Sequence, residues 1–300
     1  QVVSHLTDEI GLARSEHHGA AFMKPLAEFV KHVQRHRGLS SGYLNGDVSL
    51  KDKMMKEAAD IDKAVGELGA LAATHADRTE VAEKSRALGG KWQDLKTANL
   101  GLAAPDSIRR HTALVEEALE LNVFVADAFQ MAEDPSADTS YLIKLITGNL
   151  PLTMEFEGRL RAKGTGAIAK KSLPEDLKVD IVMIYGNIQR TMKAVKADTL
   201  KIVNSNPSLK EELSGNMQEF DSKTDAALGV VSQKLLTSSF DEITPDEFFK
   251  TMTAPIDGGY VFYEGCIQSL QTLLDQRLKA YTRNLYVNLA IIALLLILMI

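Results

Sequence analysis

Residues 285–300 have the sequence LYVNLAIIALLLILMI, a run of sixteen residues without a charged side chain. A helix that crosses a bilayer needs about 20 mostly apolar residues, with a range of about 17–25. The run therefore predicts the start of a transmembrane helix. We expect the chain, which opens at Gln1, to be part of a longer protein. The alternative is a buried C-terminal helix of a soluble protein, although Asn288 alone gives the run no polar face.

The residues before this run have the composition of an all-helical domain. Aromatic residues make up 6% of the chain, and no stretch alternates apolar and polar residues as a strand would. The net charge is −6 with both signs interspersed, so no basic face indicates nucleic-acid binding. Cys266 is the single cysteine, which excludes an internal disulfide. Without a CxxC motif, we expect neither a metal nor another cofactor.

Helix-breaking residues divide the chain into about eight helices. The first spans about 3–43, the fourth about 105–133 and the fifth about 139–170, and the last begins at the capping sequence 244–247. At about 1.5 Å per residue the first helix exceeds about 50 Å, which is longer than one compact bundle. We therefore predict an all-α fold of two four-helix bundles stacked end to end, with long first and last helices. Residues 1–284 would form this extramembrane domain, with halves of about 1–134 and 138–284, and residues 285–300 would start the transmembrane helix.

A weak internal repeat supports the division into halves. Residues 35–42 (RHRGLSSG) align without gaps on residues 159–166 (RLRAKGTG). Both arginines and the final glycine match, and each copy lies in the first helix of its half. Three identities in eight positions leave both a duplication and a chance agreement open.

Two arginines interrupt apolar stripes. Spacings of three and four residues give Leu26, Val30, Val33, Arg37, Ser40 and Leu44 in the first helix, and Leu142, Leu145, Asn149, Leu152, Phe156, Arg159 and Lys163 in the fifth. Arg37 and Arg159 are therefore predicted to face inward. A buried guanidinium costs several kcal/mol unless it is paired and hydrogen-bonded. We predict that these two arginines bind a small anionic or polar molecule, with Arg35, Arg161 and His36 as further donors.

The alternative is that the arginines are structural. Glu155, Glu157 or Glu117 could form internal salt bridges with them, or the arginine side chains could reach solvent at the surface of the bundle. Catalysis has little support, because the chain has no Ser/Cys–His–Asp spacing, HExxH motif, Walker sequence or dinucleotide-binding glycine loop. We therefore do not expect an enzyme.

Short segments along the chain resemble the periplasmic sensor regions of bacterial methyl-accepting chemotaxis proteins and membrane-bound diguanylate cyclases. The nearest named type is the nitrate- and nitrite-sensing (NIT) domain, which is similar in having eight helices in two stacked bundles. The segments are EHHG (16–19), PL (25–26), HRG (36–38), DTSY (138–141), EGRLR (157–161), FF (248–249), APID (254–257) and Tyr260. In NIT-type sensors arginines of the bundle hold the anion, which the resemblance carries over to Arg37, with Arg35, Arg159 and Arg161. His36 stands where such sensors commonly have another polar residue.

The resemblance implies a chemoreceptor-like protein of the bacterial inner membrane, with this domain in the periplasm. We expect a homodimer formed through the first and eighth helices. Ligand binding near Arg37 and Arg159 would displace the eighth helix by about 1–2 Å. Whether the output is chemotaxis signalling or cyclase activity, and which anion is bound, stay open. The alternative from another functional class is a tail-anchored cytosolic helical scaffold that binds partner proteins.

Overall fold

Within residues 2–75 and 77–298, which the structure describes, the computed structural model contains nine α-helices and no strand. The helices are α1 (Val2–Leu44), α2 (Lys51–Thr74), α3 (Thr79–Ala98), α4 (Ala104–Ala128), α5 (Ala137–Thr147), α6 (Asn149–Ala169), α7 (Glu175–Ser205), α8 (Lys210–Val230) and α9 (Pro245–Leu298). A π-helical turn, Val231–Leu235, extends α8. Because α5 and α6 take the place of one predicted helix, the all-α prediction of about eight helices is confirmed. The first and last helices are the longest, with 43 and 54 residues.

Apolar periodicity and caps explain these helices. The buried residues of α2 recur at spacings of three and four, as expected for a helix with one face in a core: Met54, Ala58, Ile61, Ala64, Leu68 and Ala72. At the start of α9, the Thr244 hydroxyl accepts a hydrogen bond from the Glu247 N–H at 3.2 Å. The Glu247 carboxylate in turn accepts one from the Thr244 N–H at 2.8 Å. This is the reciprocal capping that the sequence 244–247 predicts.

Gly148 separates α5 from α6. A Cβ atom at this position would lie 2.7 Å from the carbonyl oxygen of Lys144, which is closer than real Cβ atoms come. A side chain therefore does not fit the break, whereas glycine does. The interruption also means that the apolar stripe of α5 does not continue in the same register along α6.

The two groups of helices, α1–α4 and α5–α9, lie side by side. Along their shared boundary α1 and α9 run antiparallel, because Arg35 pairs with Asp257 at 3.1 Å near one end and Glu16 pairs with Arg277 at 3.1 Å near the other. This arrangement differs from the end-to-end stacking that the helix lengths suggested. The extra length of α1 and α9 does not cross a second bundle. It extends beyond the packed core, where residues 3–9 and 278–298 include no buried residue.

Two apolar cores stabilise the fold. The larger one fills the space between α1, α2, α3 and α4 and continues onto all the helices from α5 to α9, with Phe22, Phe29 and Trp92 fully buried. The smaller one packs α6, α7, α8 and α9 around Leu160 and Phe248. Burying a large apolar side chain stabilises the fold by about 1.5–3 kcal/mol relative to leaving it exposed. These cores hold the boundary helices α1, α6 and α9 in fixed positions.

The predicted membrane segment is the last part of α9. This helix contains a window that is long and apolar enough to cross a membrane, and none of that window is buried in the structure. The predicted boundary between residues 284 and 285 falls inside the continuous helix. Residues 299 and 300, the end of the predicted segment, lie outside the described residues.

A buried ionic cluster joins α1 to α9 at the end nearest this segment. Arg277 of α9 donates to Glu16 of α1 at 3.1 Å and to Asp134, in the turn before α5, at 2.9 Å. Burial and the neighbouring charge of Asp134 raise the pKa of Glu16 to about 7, against the opposing effect of Arg277. The cluster ties together the two helices that extend beyond the core.

Candidate functional site

A buried carboxylate, Glu155 of α6, joins the two halves at their shared boundary. Arg37 of α1 donates to both of its oxygens, at 2.8 and 3.2 Å, and Gln34 donates to it at 2.9 Å. Arg159 adds a hydrogen bond from Nε at 2.8 Å. Burial alone would raise the pKa of Glu155, but the charges and hydrogen bonds of Arg37 and Arg159 outweigh it and lower the pKa. Glu155 is therefore ionised and neutralises Arg37 inside the protein.

Helices α4 and α9 complete this polar layer. Thr112 of α4 accepts a hydrogen bond from Nη1 of Arg37 at 2.9 Å. The Tyr260 hydroxyl of α9 donates to Oε1 of Gln34 at 3.0 Å. Bidentate arginine–carboxylate pairs have a fixed geometry, so the layer positions α1, α4, α6 and α9 relative to one another.

Arg159 and Arg35 lie at the edges of the layer. The Arg159 side chain is 24% exposed and reaches Glu116 of α4 at 2.6 Å. Arg35 is 39% exposed and forms the ion pair with α9 described above. Arg159 was predicted to face inward because the three- and four-residue spacing of α5 was continued through Gly148 into α6. The break changes the register, and Arg161 takes the inward position.

Arg161 of α6 is a buried guanidinium whose polar partners in the described part of the chain are neutral. It is 3% exposed, and it donates to the Thr253 hydroxyl at 2.9 Å and to the Gln34 carbonyl at 3.5 Å. Its guanidinium carbon lies 4.7 Å from the centroid of the Phe249 ring, a cation–π contact. Burial and the charge of Arg37 lower the pKa of Arg161 to about 10, so it stays protonated at neutral pH. It uses two of the five N–H donors that a guanidinium offers.

Glu157, the nearby acidic residue of α6, does not neutralise Arg161. One of its oxygens accepts a hydrogen bond from Thr224 at 2.8 Å, and the other, Oε2, has no partner among the described residues. Burial raises the pKa of Glu157 to about 8, so its carboxyl is mostly protonated at pH 7. The buried boundary thus holds two guanidinium charges, on Arg37 and Arg161, against the one carboxylate of Glu155. The net charge of these three groups is therefore positive.

Arg37 and Arg161 occupy matched positions of the two aligned segments, and both are buried. Extended without gaps, the same alignment matches Glu155 with Lys31. Arg161 therefore has no acidic residue at the position that matches the partner of Arg37.

The boundary is closely packed around Arg37 and contains one small cavity among the described residues. A Cβ atom at Gly158 would lie 2.7 Å from a terminal nitrogen of Arg37, so the guanidinium occupies the space that a side chain would fill. A small cavity beside Tyr260 lies between α1, α4, α6 and α9. It is also lined by Asn122, whose buried Oδ1 has no hydrogen-bond partner in the part of the chain that is described. The cavity has a volume of about 10 Å³, about that of one water molecule, and none of the four arginines lines it.

His36 lies away from the arginines, inside the first half. Its Nδ1 is 2.7 Å from Nε2 of His111, and its ring packs edge-on against Trp92 at a centroid distance of 5.1 Å. Burial lowers the pKa of His36 to about 4 and that of His111 to about 3, so both rings are neutral at pH 7. The structure therefore does not bring His36 together with the predicted site.

Three glutamates are the predicted alternative partners of the arginines. Glu155 pairs with Arg37 and Arg159, while Glu117 pairs with Lys91 at 2.7 Å. Gln34, Thr253 and Phe249 are not among the predicted site residues. Gln34 could have been found, because it lies one helical turn before the predicted arginine of α1 and so shares its face. No spacing rule in one sequence links the residues of α9 to α6.

Comparison with known proteins gives a family and a fold. The family model described as nitrate and nitrite sensing, NIT, matches residues 28–271. A solved structure titled "Structure of the NasR transcription antiterminator" is similar, with a TM-score of 0.61 and 14% sequence identity over 92% of this chain and 73% of that chain. At this identity the likeness concerns the fold alone. No curated protein matches the chain.

Proposed function

The chain belongs to the NIT family, nitrate and nitrite sensing, and on this premise we propose that it binds a small inorganic anion at Arg161 and signals through α9. Nitrate and nitrite are the first ligands to test, since the family is described by them. Both are compact anions that accept several hydrogen bonds in a plane, which matches the planar donor set of a guanidinium. The membership favours a sensor over the scaffold that was the alternative.

One observation carries the proposal: Arg161 is a buried guanidinium without a carboxylate partner in the described chain. A buried charge that lacks a partner is strongly destabilising, typically by several kcal/mol. An anion between Arg161 and Arg37 would remove that penalty. Glu157 is neutral, and residue 31 is a lysine and not an acid. A bound ligand would therefore serve as the counterion of Arg161.

Transmission would use Thr253 and Phe249, which connect Arg161 to α9. An anion that drew Arg161 toward Arg37 would change its hydrogen bond to Thr253 and its contact with the Phe249 ring. Because α9 continues without a break into the apolar segment, a change at this level would be passed along one helix. Displacements of about 1–2 Å are usual for signalling helices.

The cellular setting is part of the proposal. The apolar end of α9 would anchor the chain in the bacterial inner membrane, with the domain in the periplasm and signalling domains on the other side, as in chemoreceptors. The domain would act as a homodimer. Since α1 and α9 pack on each other within one chain, the dimer contact would use their remaining exposed faces.

The test is ligand-induced stabilisation of the full chain in detergent micelles. The unfolding midpoint is measured in sodium nitrate, sodium nitrite and sodium chloride at equal ionic strength. A ligand at about 100 times its Kd stabilises the native state by about 2.7 kcal/mol. For a chain of 300 residues we expect the midpoint to rise by about 4 °C in nitrate or nitrite relative to chloride.

Arg161→Gln should abolish this rise, because the neutral side chain offers no charge to the anion. Arg109→Gln is the matched control, since Arg109 lies on the exposed face of α4 and pairs only with Asp106 one turn away among the described residues. A rise retained in Arg161→Gln would show that the anion binds elsewhere. No rise in the parent chain with either anion would refute the proposed ligand class and favour the scaffold.

A further inference from the structure

A cluster of one histidine and three carboxylates lies between α1 and α2, outside the arginine layer. Nδ1 of His32 is 2.6 Å from Glu57 and 3.9 Å from Asp60. One ligand atom from each of these three residues lies within 4.8 Å of the others. His32 and Glu57 side chains are each only 14% exposed, so the cluster is not a chance arrangement of flexible surface groups.

The second ring nitrogen of His32, Nε2, also contacts a carboxylate. Nε2 of His32 lies 3.2 Å from Glu28, one turn earlier on α1, and Lys31 fixes Glu28 at 3.0 Å. The carboxylate of Glu28 would keep a proton on Nε2, so that Nδ1 would offer its lone pair once a metal displaced the Nδ1 proton. Histidines that ligate metals are usually oriented by such a second carboxylate. The lone pair would point toward Glu57 and Asp60.

We propose that His32, Glu57 and Asp60 bind a divalent transition-metal ion such as Zn²⁺, with Glu28 as the orienting carboxylate. One imidazole and two carboxylates are a donor set that Zn²⁺ accepts, and three protein ligands leave a position for water. The Nδ1–Glu57 distance would widen by about 1 Å, since two ligands of one Zn²⁺ stand about 3.4 Å apart when each bond is about 2.1 Å. A small rotation about the side-chain bonds of Glu57 would supply this shift.

Without a metal, both ring nitrogens of His32 face carboxylates. Burial opposes protonation of His32, but its hydrogen bonds and charge interactions with Glu28 and Glu57 outweigh burial and raise its pKa. Lys56, which is 75% exposed, pairs with Asp60 and would be displaced at little cost. This site does not depend on the anion site.

The test uses the full chain in detergent micelles, dialysed against a chelator and titrated with Zn²⁺ by calorimetry and with Co²⁺ by visible absorption. We expect one equivalent to bind, with Co²⁺ bands that report nitrogen and oxygen ligands. His32→Ala should weaken Zn²⁺ binding at least tenfold. His17→Ala is the matched control, because His17 has one carboxylate partner, Asp275, among the described residues.

Asp60→Asn provides a second test should His32→Ala unfold the chain, because Asp60 is 32% exposed and its removal leaves no buried charge. This variant should also bind Zn²⁺ at least tenfold more weakly while its helicity stays unchanged. The proposal is overturned if the parent chain binds less than one equivalent. It is also overturned if both variants bind Zn²⁺ as tightly as His17→Ala does.

Discussion

Replacing Glu157 by glutamine should change how the stability of the protein depends on pH. The carboxyl has a usual pKa of 4.5 and a folded-state pKa of about 8, because burial disfavours its charged form. Below pH 4.5 it is protonated in both states. Between pH 4.5 and 8 the unfolded chain releases the proton and the folded chain keeps it, so stability falls as the pH rises. Above pH 8 the carboxyl is ionised in both the folded and the unfolded state, and the loss of stability is complete.

The size of the effect follows from these two values. The free energy of unfolding should fall by about 1.36 kcal/mol per pH unit through this window. Over the whole window from pH 4.5 to 8, the loss of stability is about 5 kcal/mol as an upper limit. Glutamine has the same shape, does not ionise, and can still accept the hydrogen bond from Thr224. Glu157→Gln should therefore match the parent near pH 4.5 and exceed its stability by up to that amount at pH 9.

The assay is urea unfolding of both proteins at pH 5, 6.5, 8 and 9 in chloride buffer. Helix content from circular dichroism and fluorescence of Trp92, the single tryptophan, provide two probes whose agreement tests two-state behaviour. Taking the difference between the two proteins cancels other titrating groups, such as Glu16, whose pKa is raised in the same direction. A difference that is the same at every pH would refute the assignment of a neutral, buried Glu157.

Two further predictions concern the layer of arginines. Glu155→Ala should lower the free energy of unfolding by about 3–5 kcal/mol, since it leaves Arg37 buried without a counterion. Glu116→Ala, which removes an exposed partner of Arg159, should cost no more than about 1 kcal/mol in the same urea titration. Gly158→Ala should displace the Arg37 guanidinium, costing about 1–3 kcal/mol of stability. It should also weaken nitrate binding at least tenfold in calorimetry, and unchanged binding would show that this guanidinium does not touch the anion.

Much of the fold could be predicted, because local signals determine it. The first helix was expected over about 3–43 and spans Val2–Leu44, and the start of α9 was found from its capping sequence. The end of the fourth helix was placed too late, at about 133, whereas α4 ends at Ala128. Gln130 has a positive φ of 61° at this point. Glutamine rarely adopts this left-handed conformation, so the sequence does not predict it. The side-by-side arrangement depends on contacts between distant helices, which no local pattern encodes.

The candidate site was predictable only in part, for a related reason. The repeat and the charges indicate all four arginines as candidates. Whether Arg159 or Arg161 faces inward depends on the register of α6. Gly148 resets that register, so counting through it favoured Arg159 over Arg161. His36 lies in the predicted segment, but it is on a different face of α1 from Arg37. Its position follows from a contact with His111, which is far away in the sequence.

Under the proposed function, the continuous course of α9 would act as a lever. From Leu274, the last buried residue of α9, to Leu298 the helix is about 36 Å long, at about 1.5 Å per residue. A tilt of about 3° at Leu274 would move the far end of a rigid rod of that length by about 2 Å. A change in the partners of Arg161 that is too small to unpack the core would therefore be magnified at the apolar tip.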